Sequence, residues 1–105
     1  MAIIKNKVLE NGTEGNYWIA ETTNLKRNNK TQVMVLLYKD KATREAGKEF
    51  LVRENVGIME GVYHTGSEVY TFIKRSILTD IIDPETHEVT GQEETNWFFD
   101  AKDDI

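Results

Sequence analysis

The chain has 105 residues, of which 39% are hydrophobic and 30% are charged. This composition is too apolar for wholesale disorder, and a chain of this length can build one hydrophobic core, so we expect a single domain. There is no cysteine, which excludes disulfide bonds, thiolate metal ligands and a cysteine nucleophile.

The formal net charge of −5 is distributed unevenly along the chain. Residues 1–79 carry twelve Lys or Arg against nine Asp or Glu, a net charge of +3, whereas residues 80–105 carry one Lys and nine acidic residues, a net charge of −8. We therefore predict a β-rich core domain over 1–79 and an acidic hairpin or arm over 80–105, which would lie in solvent, pack on the core or dock on a neighbouring subunit. Because acidic surfaces repel nucleic acid and anionic membranes, we expect neither as a partner.

The first half of the chain has the pattern of antiparallel strands. Apolar residues over 3–9 predict a first strand, which the turn-forming dipeptide Asn11-Gly12 ends. Strands over 16–25 and 31–38, joined by a polar turn, predict a hairpin. Apolar residues are consecutive at 34–37, which predicts a central strand covered on both faces. No apolar run reaches the length of a signal peptide or a spanning helix, so we expect synthesis in the cytoplasm.

The second half mixes helical and extended signals. Residues 39–49 favour a helical turn or an ordered loop, and extended structure resumes at Phe50. Thr65 and Glu68 have the spacing of a capping box, which favours a helix over 65–78, although the β-forming residues at 69–73 leave a strand as the alternative. Asp83-Pro84 predicts a turn between two strands, with His87 near a left-handed conformation.

The remaining residues are predicted to be a polar loop at 90–95 and an aromatic cluster at 97–99, which must pack somewhere. The predicted fold is α+β and β-rich. It is a small single domain of four to six mostly antiparallel strands, arranged as a meander or hairpins, with one short helix and an acidic C-terminal arm.

Few residues suggest catalysis or metal binding. His64 and His87 lack a histidine partner at ligand spacing, and no nucleophile-elbow, zinc-protease or phosphate-loop motif occurs. Asp100, Asp103 and Asp104 could hold a hard cation, but they lack the alternating ligands and central glycine of an EF-hand. We predict no enzyme, and no catalytic, cofactor-binding or metal site.

A binding surface for single-stranded nucleic acid is an alternative that the aromatic content raises. The aromatic side chains that could stack on bases, beside a basic loop of Lys26, Arg27 and Lys30, are those of Tyr17, Trp18, Tyr38, Tyr63, Tyr70 and Phe72. Core packing is the interpretation that we favour, because the chain is acidic overall.

Two segments resemble a family of small tailed-bacteriophage proteins. The first, Tyr17–Leu51, has an aromatic-led strand, a polar turn, a strand ending in Leu37-Tyr38, and a Tyr-x5-Arg spacing from Tyr38 to Arg44. The second is the terminal Phe98–Ile105, with an aromatic, an alanine and an acidic pair. Tyr70–Lys74 also resembles the family's Tyr-x-Tyr-Leu-Lys stretch, whereas the interval Ile77–Glu94 is longer than in the family's pattern.

This resemblance implies a non-enzymatic virion structural protein of the tail, baseplate or connector region. Its expected partners are other phage structural proteins and further copies of itself, and its expected location is the virion. The alternative is a small phage-encoded binding module or inhibitor of a host protein in the cytoplasm. Because large aromatics surrounded by charge are typical interface anchors, we predict a protein interface formed by Trp97, Phe98, Phe99, Asp100, Asp103 and Asp104. The competing interpretation is that the aromatics close the protein's own core.

Overall fold

The computed structural model describes residues 1–104, and its longest strands form the predicted hairpin. The strands are β1 (Ala2–Val8), β2 (Glu14–Leu25), β3 (Lys30–Tyr38), β4 (Val52–Glu60), β5 (Leu78–Ile82), β6 (Val89–Glu94) and β7 (Lys102–Asp104), and the helices are α1 (Lys41–Glu45) and α2 (Gly66–Ile73). A single 3-10 turn, Lys26–Asn28, joins β2 to β3. The β-rich α+β class is therefore confirmed, with seven strands in the described residues where four to six were predicted.

Five strands form one antiparallel sheet in the order β4-β3-β2-β1-β7. The first four are a meander, so each strand pairs with its neighbour along the chain. The last strand, β7, closes the far edge by pairing with β1, with Ile3 opposite Asp103. The C-terminal segment thus completes the sheet that the N-terminus begins.

Helix α2 covers the inner face of this sheet. Thr65 caps its first turn by accepting a hydrogen bond from the Glu68 amide at 3.1 Å, so the Thr65 cap and the helix are confirmed. The helix is shorter than the predicted range of 65–78, because it ends at Ile73 and Leu78 begins β5. The helix buries Val69, Tyr70 and Ile73 against Ile3, Trp18, Val33, Val35 and Leu37 of the sheet. This is the main hydrophobic core.

The outer face of the sheet is only partly covered, so the prediction that β3 is buried on both faces is wrong. Val33, Val35 and Leu37 are fully buried on the inner face, whereas Met34 and Leu36 between them remain partly exposed. On that side Ala2, Tyr17 and Tyr38 form a second, smaller buried cluster, and Tyr38 packs edge-on against Phe50, with ring centroids 6.4 Å apart. A run of apolar residues here marks a strand with one buried face and one half-exposed apolar face.

The start of β2 depends on the absence of a side chain at Gly15. A Cβ there would lie 2.8 Å from both the Leu37 Cγ and the Tyr38 carbonyl oxygen. Such distances are below van der Waals contact, and the carbonyl belongs to the backbone, which cannot swing away. Glycine therefore permits the close approach of β2 and β3 at this point.

The β5–β6 hairpin stands apart from the main sheet. Its two strands pair only with each other, and almost all their residues are exposed. The radius of gyration is 16.3 Å, against about 13 Å for a compact domain of this length. The predicted loop at 90–95 is wrong, because most of it belongs to β6. No helix among residues 1–104 has the length and apolarity to cross a bilayer.

Candidate interaction surface

The C-terminal aromatic cluster is divided between the core and the surface. The Phe98 side chain is 8% exposed and packs edge-on against Trp18, with ring centroids 5.0 Å apart. Trp97 is 37% exposed and also packs edge-on against Trp18, at 5.5 Å. Phe99 is 49% exposed. The structure therefore places Phe98 in the protein's own core and leaves Phe99 available to a partner.

Lys5 ties this cluster to β1. Its Nζ lies 4.3 Å from the centroid of the Trp97 ring, within the range of a cation–π contact, and donates to the Trp97 carbonyl oxygen. The same ammonium group forms an ion pair with Asp100 at 2.5 Å. This hydrogen bond lowers the pKa of Asp100 below its ordinary value.

The acidic residues of β7 also have partners on the protein's own body. Asp103 pairs with Lys74 at 3.1 Å. Asp104 accepts a hydrogen bond from the Tyr17 hydroxyl at 2.8 Å and lies 3.1 Å from Lys41. The hydrogen bonds from Tyr17 and Lys41 lower the pKa of Asp104, while burial and the Asp104 carboxylate raise the pKa of Tyr17 to about 12.

The six residues predicted to form an interface therefore lie along the β1 side of the body, beside their own sheet. The three carboxylates are each engaged by a different cation, and no group of three metal-ligating side chains is found among residues 1–104. Their role in an intermolecular interface stays a prediction, and Trp97 and Phe99 are the members with exposed rings.

Sequence reasoning missed the apolar face of the β5–β6 hairpin, which we call the arm (residues 78–94). Cross-strand pairing places Leu78, Ile82 and Val89 on one face, and each is exposed by 57% to 58%. Asp80 shares this face and accepts a hydrogen bond from the Gln92 side chain at 3.0 Å. A two-stranded hairpin is marginally stable alone, and exposed apolar side chains add a cost, so this face favours a partner.

The arm is strongly acidic. It contains six carboxylates and neither Lys nor Arg, at Asp80, Asp83, Glu85, Glu88, Glu93 and Glu94. It therefore carries a net charge of −6 on a segment of seventeen residues. Because like charges repel, this charge disfavours contact between two arms. It favours contact with a basic surface.

Hydrogen bonds join the root of the arm to the end of α2 and to the segment that follows it. The Glu94 carboxylate accepts hydrogen bonds from the Ser76 hydroxyl at 2.6 Å and the Ile77 amide at 2.7 Å. Partial burial of Glu94 raises its pKa, but these hydrogen bonds outweigh that effect and the net pKa is lowered. Asn96 completes the root by donating to the Ile73 and Arg75 carbonyl oxygens at 2.8 and 2.7 Å.

The tip of the arm is a closed turn. The Asp83 carboxylate accepts from the Glu85 amide at 2.8 Å, and the His87 amide donates to the Asp83 carbonyl oxygen at 2.8 Å. His87 has a φ of +59°, so the predicted left-handed position is confirmed. With both ends ordered by local hydrogen bonds, the arm can present its apolar face without first folding onto a partner.

A second surface combines apolar and basic side chains between α1 and β4. We call it the α1–β4 surface and define it as Arg44, Lys48, Phe50, Leu51 and Arg53; the exposed Glu45 and Glu49 lie in the same stretch, so residues 44–53 carry a net charge of +1. Phe50 and Leu51 are each 38% exposed, and the Arg53 guanidinium lies 5.1 Å from the Phe50 ring. Arg53 also pairs with Glu21, whereas no carboxylate within residues 1–104 forms an ion pair with Lys48 or Arg44.

The aromatic residues considered for nucleic-acid stacking do not form a platform. Tyr17, Trp18, Tyr38 and Tyr70 are buried, and the Tyr70 hydroxyl donates to the Met1 carbonyl oxygen at 3.0 Å while it accepts from the Ala20 amide. Tyr63 is exposed. Four of the six proposed rings are therefore unavailable to bases, as the core-packing interpretation requires.

The arm could have been found from the sequence by the absence of Lys and Arg over 78–94 together with its scattered Leu, Ile and Val residues.

No family model matches the chain, and no curated protein and no solved structure shows significant similarity to it.

Proposed function

We propose that this chain is a non-enzymatic structural subunit of a tailed-phage virion, in the tail, baseplate or connector region, that acts through protein–protein assembly contacts. The observation that carries the assembly role is the projecting arm, with its root fastened at Glu94 and its apolar face exposed. The phage assignment rests on the sequence resemblance.

The shape suits an assembly that is built from many small contacts. A stable pair of proteins buries roughly 800 Å² on each partner, which is more than one face of a hairpin with strands of five and six residues can offer. When such a contact repeats around a symmetric particle, the binding free energies of its copies add together. Interfaces that are weak individually can then hold the particle together.

The test is peptide mass spectrometry of gradient-purified particles from the phage that encodes the chain, with copy number measured against the major capsid protein. A fixed copy number, in the multiples of three or six that symmetric assemblies favour, supports the proposal. Absence from particles together with abundance in the infected-cell lysate overturns it.

Two matched substitutions on the arm make this test specific to its apolar face. Ile82→Ser lies on the face with Val89, and Ile81→Ser lies on the opposite face of the same strand. Both residues are exposed, so neither change should alter folding by more than about 0.5 kcal/mol. We expect Ile82→Ser to reduce incorporation into particles and Ile81→Ser to retain it.

A second candidate function is a binding module or inhibitor of a host protein in the cytoplasm. The arm favours it because six carboxylates on a narrow hairpin could occupy a basic groove that normally receives nucleic acid. Recovery of one host protein by the wild-type chain and its loss with Asp80→Lys, in the absence of any virion incorporation, would favour this candidate.

A further inference from the structure

We propose that Asn11 is a site of spontaneous deamidation, at which the Gly12 backbone nitrogen attacks the Asn11 carboxamide and so changes the turn between β1 and β2. This inference does not depend on the proposed virion function. Asn11-Gly12 is the one Asn-Gly dipeptide among the eight asparagines of the chain. Because glycine has no Cβ, the nitrogen that attacks is less crowded than in any other residue.

The reaction exchanges ammonia for water through a cyclic intermediate. The Gly12 nitrogen forms a bond to the side-chain carbonyl carbon of Asn11, and its proton passes through solvent to the leaving amide nitrogen. The bond between that carbon and the amide nitrogen breaks, ammonia departs, and a succinimide ring remains. Water then opens the ring. Attack at the side-chain carbonyl gives aspartate, whereas attack at the backbone carbonyl gives isoaspartate, in which the main chain runs through the side-chain carbons.

The turn holds the Asn11 carboxamide in an arrangement that assists this attack. The Thr13 amide donates a hydrogen bond to the Asn11 Oδ1 at 3.0 Å. Negative charge develops on this oxygen when the Gly12 nitrogen adds to the carbonyl carbon, so the Thr13 N–H lies where it stabilises that charge. The same hydrogen bond restricts rotation of the Asn11 side chain, which lowers the entropic cost of reaching the reactive geometry.

Water and the attacking nitrogen both have access to the carboxamide because the turn is open to solvent. Asn11, Gly12 and Thr13 are all exposed. Apart from the chain neighbours of Gly12, no atom lies within 4 Å of the position that a Cβ would take there. The Gly12 amide donates to the Leu9 carbonyl oxygen at 2.9 Å, so this hydrogen bond must open before the nitrogen attacks. Because it lies in an exposed turn, it can open by a local fluctuation.

The other asparagines lie where this reaction is disfavoured. Four belong to strands, whose extended backbone turns the following amide nitrogen away from the side chain. These four are Asn6, Asn16, Asn24 and Asn55. The side-chain nitrogen of Asn96 donates to two backbone carbonyl oxygens, which hold its carboxamide in place. Asn28 and Asn29 occupy another exposed turn, but each is followed by a residue with a side chain, so these two are internal controls.

The isoaspartate product lengthens the backbone by one carbon inside a tight turn. Two hydrogen bonds close this turn, from the Leu9 amide to the Thr13 carbonyl oxygen at 2.8 Å and from the Gly12 amide to the Leu9 carbonyl oxygen. Either product also adds a carboxylate between Glu10 and Glu14, neither of which pairs with Lys or Arg within residues 1–104. We therefore expect the modified turn to open more readily than the original one.

The experiment incubates the purified full chain at neutral and at mildly alkaline pH. Peptide mass spectrometry follows the exchange of each amide nitrogen for oxygen, and methyl transfer by an isoaspartyl methyltransferase detects isoaspartate. The matched variant is Gly12→Asn, whose side chain crowds the attacking nitrogen. Asparagine accepts the left-handed conformation of Gly12, which has a φ of +85°, as Asn29 does at +51°. Equal melting temperatures before incubation show that the variant is folded.

We expect Asn11 to deamidate at least about tenfold faster than Asn28 or Asn29, with isoaspartate among its products, and Gly12→Asn to remove this difference. Equal rates at the three positions, or an equal rate in the variant, overturn the assignment of the site. Aspartate without isoaspartate shows direct hydrolysis and overturns the succinimide step. Hydrogen exchange over 9–15 should be faster in the incubated chain than in Asn11→Asp, which has the same charge without the longer backbone, and equal exchange overturns the effect on the turn.

Discussion

Replacement of Phe98 by alanine tests whether the C-terminal segment packs in the hydrophobic core of its own chain. Phe98 is 8% exposed and contacts Trp18 and Trp97 edge-on, each at 5.0 Å between ring centroids. Truncation of a buried phenylalanine in such a site costs about 3–4 kcal/mol, from lost burial and the cavity left behind. That is a large fraction of the roughly 5–15 kcal/mol that holds a small domain together.

The matched control is Phe99→Ala, since Phe99 is the next residue and is 49% exposed. Its truncation should change the free energy of unfolding by no more than about 0.5 kcal/mol. Urea unfolding followed by far-UV circular dichroism is the appropriate assay, because Phe98 touches both tryptophans and would perturb their fluorescence directly. The measurement is made at two protein concentrations tenfold apart.

We expect the urea midpoint of the Phe98→Ala variant to be much lower than that of the wild-type chain at both protein concentrations. Its melting temperature should be lower by more than about 10 °C. Equal stability of the Phe98→Ala and Phe99→Ala variants would refute the placement of Phe98 in the core. A loss confined to the higher concentration would point instead to a buried position between subunits.

Four further predictions concern the sheet, Asp104, Tyr17 and the arm. Gly15→Ala should lower the free energy of unfolding by about 1–3 kcal/mol because its Cβ meets a backbone carbonyl. A Cβ at Gly66 would have no neighbour within 4 Å, so Gly66→Ala should not destabilise the protein. Thermal melts of the two variants test this difference. The pKa of Asp104 is lowered by folding, so its contribution is present above its unfolded pKa near 4 and is lost as pH falls through the lower folded value. Asp104→Asn should therefore flatten the acid limb of a stability–pH curve, and an unchanged limb would contradict the assignment. The pKa of Tyr17 is raised to about 12, so its contribution is present below pH 10 and is lost as pH rises through 12. Burial also raises the pKa of Tyr70, so absorbance titration should show a late tyrosinate signal that Tyr17→Phe reduces and does not abolish. Glu94→Ala should speed hydrogen exchange over 78–94 with little change in the core, and equal exchange in variant and wild type would show that the root does not hold the arm.

Local patterns predicted the elements whose contacts lie within a few residues. The hairpin of β2 and β3, the Thr65 cap of α2 and the left-handed His87 were all expected. Each depends on hydrogen bonds or backbone preferences of residues that are close together in the sequence, so the local residue pattern is enough to predict it. A turn between two strands at Asp83-Pro84 and an acidic hairpin or arm were also expected, but not the exposed apolar face of the arm.

The wrong predictions concern segments whose structure depends on burial. Burial depends on contacts with residues that are far away in the sequence. Residues 90–95 are polar and were predicted as a loop, yet pairing with β5 places most of them in β6. The apolar run at 34–37 was interpreted as covered on both faces. In the described residues α2 and Phe98 pack on the inner face, whereas the buried cluster on the outer face is limited to Ala2, Tyr17 and Tyr38, and Met34 and Leu36 stay partly exposed. The number of covering layers depends on elements far along the chain.

The sequence by itself determined that this is a small β-rich domain with an acidic C-terminal quarter and no cysteine chemistry. Only the tertiary structure decided how that quarter is divided. Phe98 enters the core and β7 joins β1 because Lys5, Tyr17 and Lys41 lie where the last carboxylates can reach them, between 63 and 95 residues away along the chain. Within residues 1–104 no Lys or Arg pairs with a carboxylate of the arm, and the side chains of Leu78, Ile82 and Val89 remain exposed.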